Sequence, residues 1–355
     1  MNSRNTVLVT GGAGFIGANT VARLLSNGYR VVVVDNFSRE GSELNRIWLE
    51  SRGDVVFHRV DIRDNESLTK VIANTNSLDA IIHLAGQVAV TSSVANPRED
   101  FEVNALGTFN VLEAARQLTN RPLVIFASTN KVYGRMESVE IAEETTRYAY
   151  KSDLIGVSEA TPLDFHSPYG CSKGAADQYV RDYSRIYGLP TVVLRQSCIY
   201  GPRQFGVEDQ GWAAWFTIAA CLGLPITIYG DGKQVRDMLH VDDLTRVYLA
   251  AIENRDSVDG LILNIGGGPG NALSIWSEFG LLLEEMLGHP IPIERGEWRQ
   301  GDQPIYISDI SRAKTVLGWT PSINPSAGLR ELFEWVTVNL ADIERVLAAR
   351  LGKAK

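Results

Sequence analysis

The chain has 355 residues, with 34 lysines and arginines against 42 acidic residues and a formal net charge of −8. Hydrophobic residues make up 45% and charged residues 21%, enough apolar material to offset chain entropy, which excludes an intrinsically disordered protein. The acidic balance argues against a nucleic-acid partner, although a local group of arginines and backbone N–H groups can hold an anion on an acidic protein. The length predicts two domains, or one large α/β unit with an appendage. The 3 cysteines, Cys171, Cys198 and Cys221, are odd in number and lack CxxC spacing, so neither a zinc ribbon nor a disulfide framework nor any metal site is expected, and each reads as a small buried hydrophobe. Met1–Thr10 lacks a signal-peptide core and no apolar run approaches the ~20 residues of a membrane helix, so the expectation is a soluble cytoplasmic protein without a membrane partner.

In chain order, short apolar and β-branched runs at Thr6–Thr10, Arg30–Asp35, Val55–Asp61, Asp79–Ala85, Leu123–Ser128 and Thr191–Gln196 predict strands. Several are continuously apolar, as strands of a parallel sheet covered on both faces are. Between them, helical patterns span Phe15–Asn27, Glu66–Ala73, Val103–Leu118 and Tyr169–Tyr187, with Gly28 and Gly188 at cap positions. The polar segment Arg135–Ser167 predicts a long loop, the kind that is more often functional than idle. The second half is broken by Gly and Pro, with a hairpin-like segment at Ile226–Arg236, a late strand at Leu261–Ile265, and helices at Ser274–Leu287 and Ser326–Leu340. The fold expected is α/β, a doubly wound parallel sheet (Rossmann) with a smaller C-terminal substrate-binding lobe. Residues 1–200 plus about 238–270 would form the larger domain, and 201–237 plus about 271–355 the smaller.

After the first strand comes Thr10-Gly11-Gly12-Ala13-Gly14-Phe15-Ile16-Gly17. Between a strand and an amphipathic helix, Gly11 permits the tight turn, Gly14 lets a pyrophosphate approach the backbone, and Gly17 lets the helix lie close to the sheet. The helix N-terminus favours the negative charge. Asp35, ending the second strand, stands where a carboxylate binds the adenosine ribose and repels a 2′-phosphate, so NAD is favoured over NADP, with Arg39 offsetting part of that preference. Asp61 and Ala85-Gly86 fall where the chain crosses the carboxyl edge of the sheet, where ligands bind. His83, inside an apolar run, reads as a satisfied core histidine.

Tyr169-Gly170-Cys171-Ser172-Lys173 puts Tyr169 and Lys173 at i and i+4, on one helix face. A nearby ammonium favours the phenolate and lowers the tyrosine pKa, and such a tyrosine can take a proton from a sugar hydroxyl and return it. Ser128-Thr129 ends the preceding strand, where a hydroxyl can bond both the substrate oxygen and Tyr169.

These residues, with His83-Leu84-Ala85-Gly86 and Tyr200-Gly201-Pro202-Arg203, resemble the extended short-chain dehydrogenase/reductase family in its NAD-dependent epimerase/dehydratase group, over essentially the whole chain. Ser128-Thr129-Asn130-Lys131-Val132-Tyr133-Gly134, Asp164 to Tyr179, Asp209-Gln210-Gly211-Trp212 and Gly232 to Asp237 resemble most the branch that inverts C2 of CDP-linked sugars, the CDP-paratose/CDP-tyvelose 2-epimerases. The resemblance implies bound NAD and a nucleotide-sugar substrate, a CDP-linked hexose. Catalysis would fall to Thr129, Tyr169 and Lys173. NAD would be held by Gly11, Gly14, Phe15, Ile16, Asp35, Asn36, Ser38, Arg39, Asp61, Ile62, Leu84, Ala85, Gly86, Gln87, Asn104, Tyr169, Lys173, Ser197 and Ile199. The substrate would meet Gln87, Thr129, Asn130, Arg203, Gln210, Gly211, Trp212, Tyr229, Arg236, Arg299 and Asp302, the arginines suiting phosphate oxygens. It also implies a homodimer or homotetramer formed through Val103–Leu118 and Tyr169–Tyr187.

Related 4,6-dehydratases carry an Asp-Glu pair directly after the active-site threonine; Asn130-Lys131 stands there, so dehydration is not expected. Ser197-Cys198-Ile199 stands where many members have an asparagine, and Cys198 reads as a packing residue. Inversion at C4 or a net dehydrogenase reaction remain alternatives on the same scaffold. A non-catalytic NAD-binding protein is disfavoured, since it would not need Tyr169.

Overall fold

The computed structural model describes residues 5–151, 153–299 and 302–351, the last three as backbone only. The ends of the two expected domains, 1–4 and 352–355, lie outside the described residues. Seven parallel strands form the central sheet: β1 (Thr6–Thr10), β2 (Arg30–Asp35), β3 (Val55–Arg59), β4 (Leu78–His83), β5 (Leu123–Thr129) and, after the short antiparallel pair β6 (Ile141–Glu143) and β7 (Tyr148–Tyr150), β8 (Thr191–Gln196), with β12 (Leu261–Ile265) joining late. The order β12-β8-β5-β4-β1-β2-β3 is doubly wound, so the chain reverses beside β1. All five residues of β1 and all six of β8 are buried, as strands covered on both faces must be.

Helices cover both faces: α1 (Phe15–Ser26), α2 (Ser42–Glu50), α3 (Asn65–Asn74), α4 (Val90–Ala95), α5 (Pro97–Phe101), α6 (Gly107–Arg116) and α7 (Ser167–Tyr187). One apolar core lies between α1, α2 and one face of the sheet, and a second between α3, α6, α7 and the other. The helical pattern expected over Val103–Leu118 is present but opens with a π-helical turn, Glu102–Leu106. Helix α7 starts with Pro168 in its first turn, where the missing N–H costs nothing, and ends at Gly188 with φ +61°.

A buried clamp sets α7 against the sheet. Arg195 on β8 forks onto Asp177 of α7 with both N–O distances 2.9 Å, and Ser128 on β5 donates to the same carboxylate at 2.7 Å. Arg195 also donates to the Tyr133 hydroxyl, 3.0 Å away. Fork geometry and the extra donors are what make such a buried pair tolerable. This clamp fixes the carboxyl end of β5, with Thr129, beside the first turns of α7, with Tyr169.

The second lobe contains α8 (Trp212–Cys221), the helices Phe279–Leu287 and Pro325–Val338, and a third apolar core. Its sheets differ from expectation. Ile226–Arg236 is not a hairpin: β10 (Ile226–Tyr229) pairs in parallel with β14 (Ile293–Gly296), whereas β11 (Val235–His240) pairs with β9 (Cys198–Tyr200), β13 (Ala272–Ser274) and β15 (Ile305–Tyr306). The turn Gly230-Asp231-Gly232 carries the chain from one sheet into another rather than folding it back. Because Ala272–Ser274 is a strand, the helix expected from Ser274 begins only at Phe279. Cys171 is exposed rather than buried, and Cys198 and Cys221 are half-buried. Among the described residues no helix is long and apolar enough to cross a membrane.

Candidate functional site at the carboxyl edge of the sheet

The β1–α1 turn packs flush against the exit of β4. Gly11 has φ +69°, and a Cβ on it would stand 2.6 Å from the Ala85 nitrogen; a Cβ on Gly17 would stand 2.1 Å from the Gly11 carbonyl oxygen. Helix α1 opens at Phe15-Ile16 behind Gly14, with no side-chain cap and no acidic residue in its first turn. Its leading N–H groups therefore have no side-chain acceptor, as an anion site requires. Asp35 accepts from the Ala13 and Phe37 nitrogens at 2.9 and 2.8 Å, and burial pushes its carboxyl above the usual range. Next to it, Asn36 donates to Asp61 at 2.9 Å and accepts from the Ser38 nitrogen at 3.0 Å. The Arg63 fork holds Asp61 at about 2. Ile62 is buried, and the side chain would clash with any Cβ on Gly107.

Beyond β4, the nitrogens of Leu84 and Ala85 bond the Thr10 carbonyl and hydroxyl at 3.1 and 3.3 Å. Gly86 and Gln87 turn around Asn104, whose amide oxygen accepts from the Gln87 nitrogen at 3.0 Å while its nitrogen donates to the Gln87 carbonyl, also at 3.0 Å. Asn104 thus shapes this turn through bonds within the protein. His83 is the core histidine expected. The Thr108 hydroxyl donates to the Asn104 carbonyl, so its oxygen accepts from Nε2–H, and Nδ1 accepts from Thr10 at 2.6 Å. Burial keeps the ring neutral, with its pKa at about 3.

Thr129 lies beside Tyr169, whose ionised form its hydroxyl favours, and the Thr129 oxygen accepts from the Lys131 nitrogen at 3.2 Å. The Tyr169 nitrogen is held by the Ser93 hydroxyl of α4 at 3.2 Å. The electrostatics differ from the expectation that Lys173 lowers the Tyr169 pKa. Burial, reinforced by the Asp100 charge, pushes the Tyr169 phenol up to about 12, and the Thr129 hydroxyl and the Arg39 charge only partly oppose this. Lys173 donates to the Ala127 carbonyl at 2.6 Å and lies 4.1 Å from the centre of the Phe126 ring. Desolvation brings Lys173 itself down to about 7, although Asp177 and Asp100 support its charge. Asp100, Ser172 and Ser93 were not singled out in the sequence. Asp100 is buried on α5 and accepts from Asn104 at 3.1 Å and from Ser172. Its spacing four residues before Asn104 is the one local signal that could have found it.

The expected substrate residues fall into separate groups. Arg236 donates to Asp302 at 2.6 Å, and Lys131 lies 4.0 Å from the same carboxylate. Arg299 lies 4.0 Å above the Tyr229 ring and donates to the Glu208 carbonyl at 3.2 Å, with the Tyr229 hydroxyl on the Glu208 carboxylate at 2.7 Å. Gln210 closes that loop by bonding the Val207 carbonyl at 2.8 Å, and Gly211, φ +74°, caps α8. Trp212 packs edge-on against Phe279 at 4.8 Å, inside the lobe. Asn130 accepts weakly from Thr129 at 3.4 Å. Arg203 is not with these groups. Its guanidinium stacks 3.5 Å over Trp48 of α2, and Pro202 before it accepts from Asn19 of α1. Ser197 donates to Asp237, a buried carboxyl pushed up to about 6, and Ile199 pairs with Leu239, so both tie the central sheet to the second one. Cys198 is a packing residue whose thiol burial raises to about 12.

Residues 7–266 match the NAD dependent epimerase/dehydratase family. A CDP-paratose 2-epimerase of Salmonella typhi is 43% identical over 336 residues, 93% of this chain and 99% of that one. Among solved structures, a UDP-glucose 4-epimerase of Thermotoga maritima with UDP-glucose superposes with a TM-score of 0.81 at 32% identity, covering 94% and 99% of the two chains. A dTDP-glucose 4,6-dehydratase of Streptomyces venezuelae, solved with NAD, gives 0.82 at 29% identity, covering 96% and 99%. The uncapped helix start and the glycines that leave no room for Cβ atoms fit the NAD pyrophosphate. This chain is an enzyme of the NAD-dependent epimerase/dehydratase family, with NAD as its cofactor.

Proposed function

We propose that the protein inverts C2 of a CDP-linked hexose, converting CDP-paratose to CDP-tyvelose and CDP-glucose to CDP-mannose, with no net redox change. The observation that carries this reading is the whole-length likeness, 43% identity over 93% of the chain, to a CDP-paratose 2-epimerase.

NAD, when bound, would supply the hydride acceptor and donor that oxidation and re-reduction at C2 require. Tyr169 takes the proton of the C2 hydroxyl as that carbon is oxidised to a ketone, and returns it when the opposite face is reduced. Thr129, beside Tyr169, orients the reacting oxygen. At rest Tyr169 is a neutral phenol, with its pKa at about 12, so it becomes a base only when positive charge enters the site. Lys173, buried one turn along α7, would hold the nicotinamide ribose. A sugar that must turn over needs its anchor elsewhere; Arg236 and Arg299 supply it at the diphosphate, with Asp302 holding Arg236 in place. Residues 1–200 plus about 238–270 serve the cofactor, and 201–237 plus about 271–355 the nucleotide sugar.

Inversion at C4 is the second reading, supported by the 32% identity to a UDP-glucose 4-epimerase. NMR analysis of the products from CDP-glucose, CDP-paratose and UDP-glucose separates the two. A C2 epimer without net reduction of the cofactor is expected; an unchanged C2 with an altered C4, or steady cofactor reduction, contradicts it.

We further assign a homodimer or homotetramer formed through α6 and α7. Phe109, Tyr179 and Ile186 are exposed on these helices at 38%, 51% and 66%, an apolar face that a second copy would cover. Light scattering on the purified protein tests this. Three free cysteines suit the reducing cytoplasm.

A further inference from the structure

We propose that Lys131 decides which ring carbon meets Tyr169, by pairing its ammonium with the phosphate attached to C1 of the sugar. The inference rests on the nucleotide-sugar reading above and deepens it.

Lys131 leaves the chain at the reaction centre. It sits on the short turn Asn130–Tyr133 directly after β5, and its nitrogen bonds the Thr129 hydroxyl. Its side chain then crosses to the second lobe and ends 4.0 Å from Asp302, whose carboxylate already accepts from Arg236. Thr129, Lys131, Asp302 and Arg236 therefore form one continuous line from the proton-transfer pair to the expected diphosphate anchor. At 4.0 Å the contact with Asp302 is ionic only, and the Lys131 ammonium makes no hydrogen bond among the described residues.

Desolvation lowers the Lys131 pKa; the Asp302 charge opposes this and the Arg236 charge adds to it. Its side chain keeps 27% exposure, which leaves a path by which an anion can reach it. An ammonium stripped of water and lacking hydrogen bonds is costly until an acceptor arrives. Two cations, Lys131 and Arg236, share one carboxylate, which leaves one positive charge for an anion.

The position of that charge selects the carbon. In a pyranose, C2 adjoins the carbon that bears the phosphate, whereas C4 lies across the ring. A phosphate drawn to this ammonium, on the line that runs from Thr129 to Asp302, presents the neighbouring carbon C2, rather than C4 across the ring, toward the Tyr169 hydroxyl. Positioning of this kind is a large lever on rate, since misplacement by about 1 Å costs about a hundredfold. The same position rules out the acid pair of a dehydratase, because an ammonium replaces a carboxyl there.

The test compares Lys131→Met and Lys131→Arg with the wild-type NAD-bound protein. CDP and CMP binding are measured by calorimetry, and the products of CDP-glucose by NMR. Loss of one charge-assisted phosphate contact predicts CDP binding weaker by about 10–100-fold in Lys131→Met, with CMP binding unchanged. C2 inversion should fall, with C4-altered product appearing, while NAD content and thermal midpoint stay at wild-type values; Lys131→Arg should keep C2 as the site. Equal CDP affinity and pure C2 product in Lys131→Met overturns the inference while leaving the proposed function intact. If Lys131→Met does not fold, a Lys131→Arg protein with altered regiochemistry overturns it instead. A wild-type protein that alters only C4 overturns both.

Discussion

The Lys173 ammonium donates to the Ala127 carbonyl, 2.6 Å away, and Lys173 is absent from the charges that tune Tyr169. The carboxylate that bears on both is Asp100, which raises the pKa of Tyr169 and of Lys173. Burial is the largest influence on both groups, and Asp100, outside the Tyr-x-x-x-Lys motif, is the charge they share.

Replacing Tyr169 by Phe removes the proton-transfer group while keeping the ring. Turnover should fall by about 10²–10⁴-fold, with the NAD content of the purified protein unchanged. Near-normal activity in this variant would remove Tyr169 from its assigned role.

Asp100→Asn should move the pH profile. Tyr169 is faced by Thr129, Asp100 and Arg39; Lys173 is faced by Asp177, Asp100, the Ala127 carbonyl and the neutral ring of His83. Without the Asp100 charge the phenol loses its proton more easily and the ammonium also loses its own more easily. Both limbs of a bell-shaped kcat/KM profile should shift to lower pH. A profile that falls in height without moving would mean that Asp100 acts only by packing.

His83 stays neutral in the folded protein, with its pKa at about 3 against 6.5 when unfolded. A folded pKa below the unfolded one means that the unfolded chain binds the extra proton, so stability is lost as pH falls from about 6.5 to about 3. Urea unfolding at a series of pH values should show this slope reduced in His83→Gln. An unchanged slope would place the acid sensitivity elsewhere.

Gly11→Ala should destabilise the protein by about 1–3 kcal/mol from backbone strain alone, since φ is +69° there. The added Cβ would also press on the Ala85 nitrogen at 2.6 Å and spread the turn. Thermal unfolding should show a lowered midpoint together with lost NAD; retention of both would mean that the turn has more room than its geometry indicates.

What could be read from the sequence was local. The strand–glycine–helix turn at Gly11–Gly17 and the i, i+4 pair Tyr169 and Lys173 are encoded within a few residues, so pattern alone reached them. The central strands were legible because burial on both faces leaves continuous apolar runs such as Val31–Val34. The rest depends on contacts between distant segments. Nothing near Arg203 signals that it stacks on Trp48, and nothing near Lys131 signals that Asp302 lies at its tip. The Gly-Asp-Gly turn at 230–232 has the composition of a hairpin, yet its flanking strands enter two different sheets because their partners come from later in the chain. The tuning of Tyr169 depends on such contacts too: i, i+4 spacing places Lys173 on the right face, while burial, with Asp100 adding to it, raises the pKa.

The central claim is that C2 is oxidised and re-reduced within one active site, with Tyr169 moving the hydroxyl proton. The most direct test uses CDP-glucose carrying deuterium at C2, followed by NMR of the epimer. The account predicts a C2-inverted product that retains its deuterium, with no exchange into solvent. Deuterium lost to water would indicate proton abstraction from carbon and would contradict it.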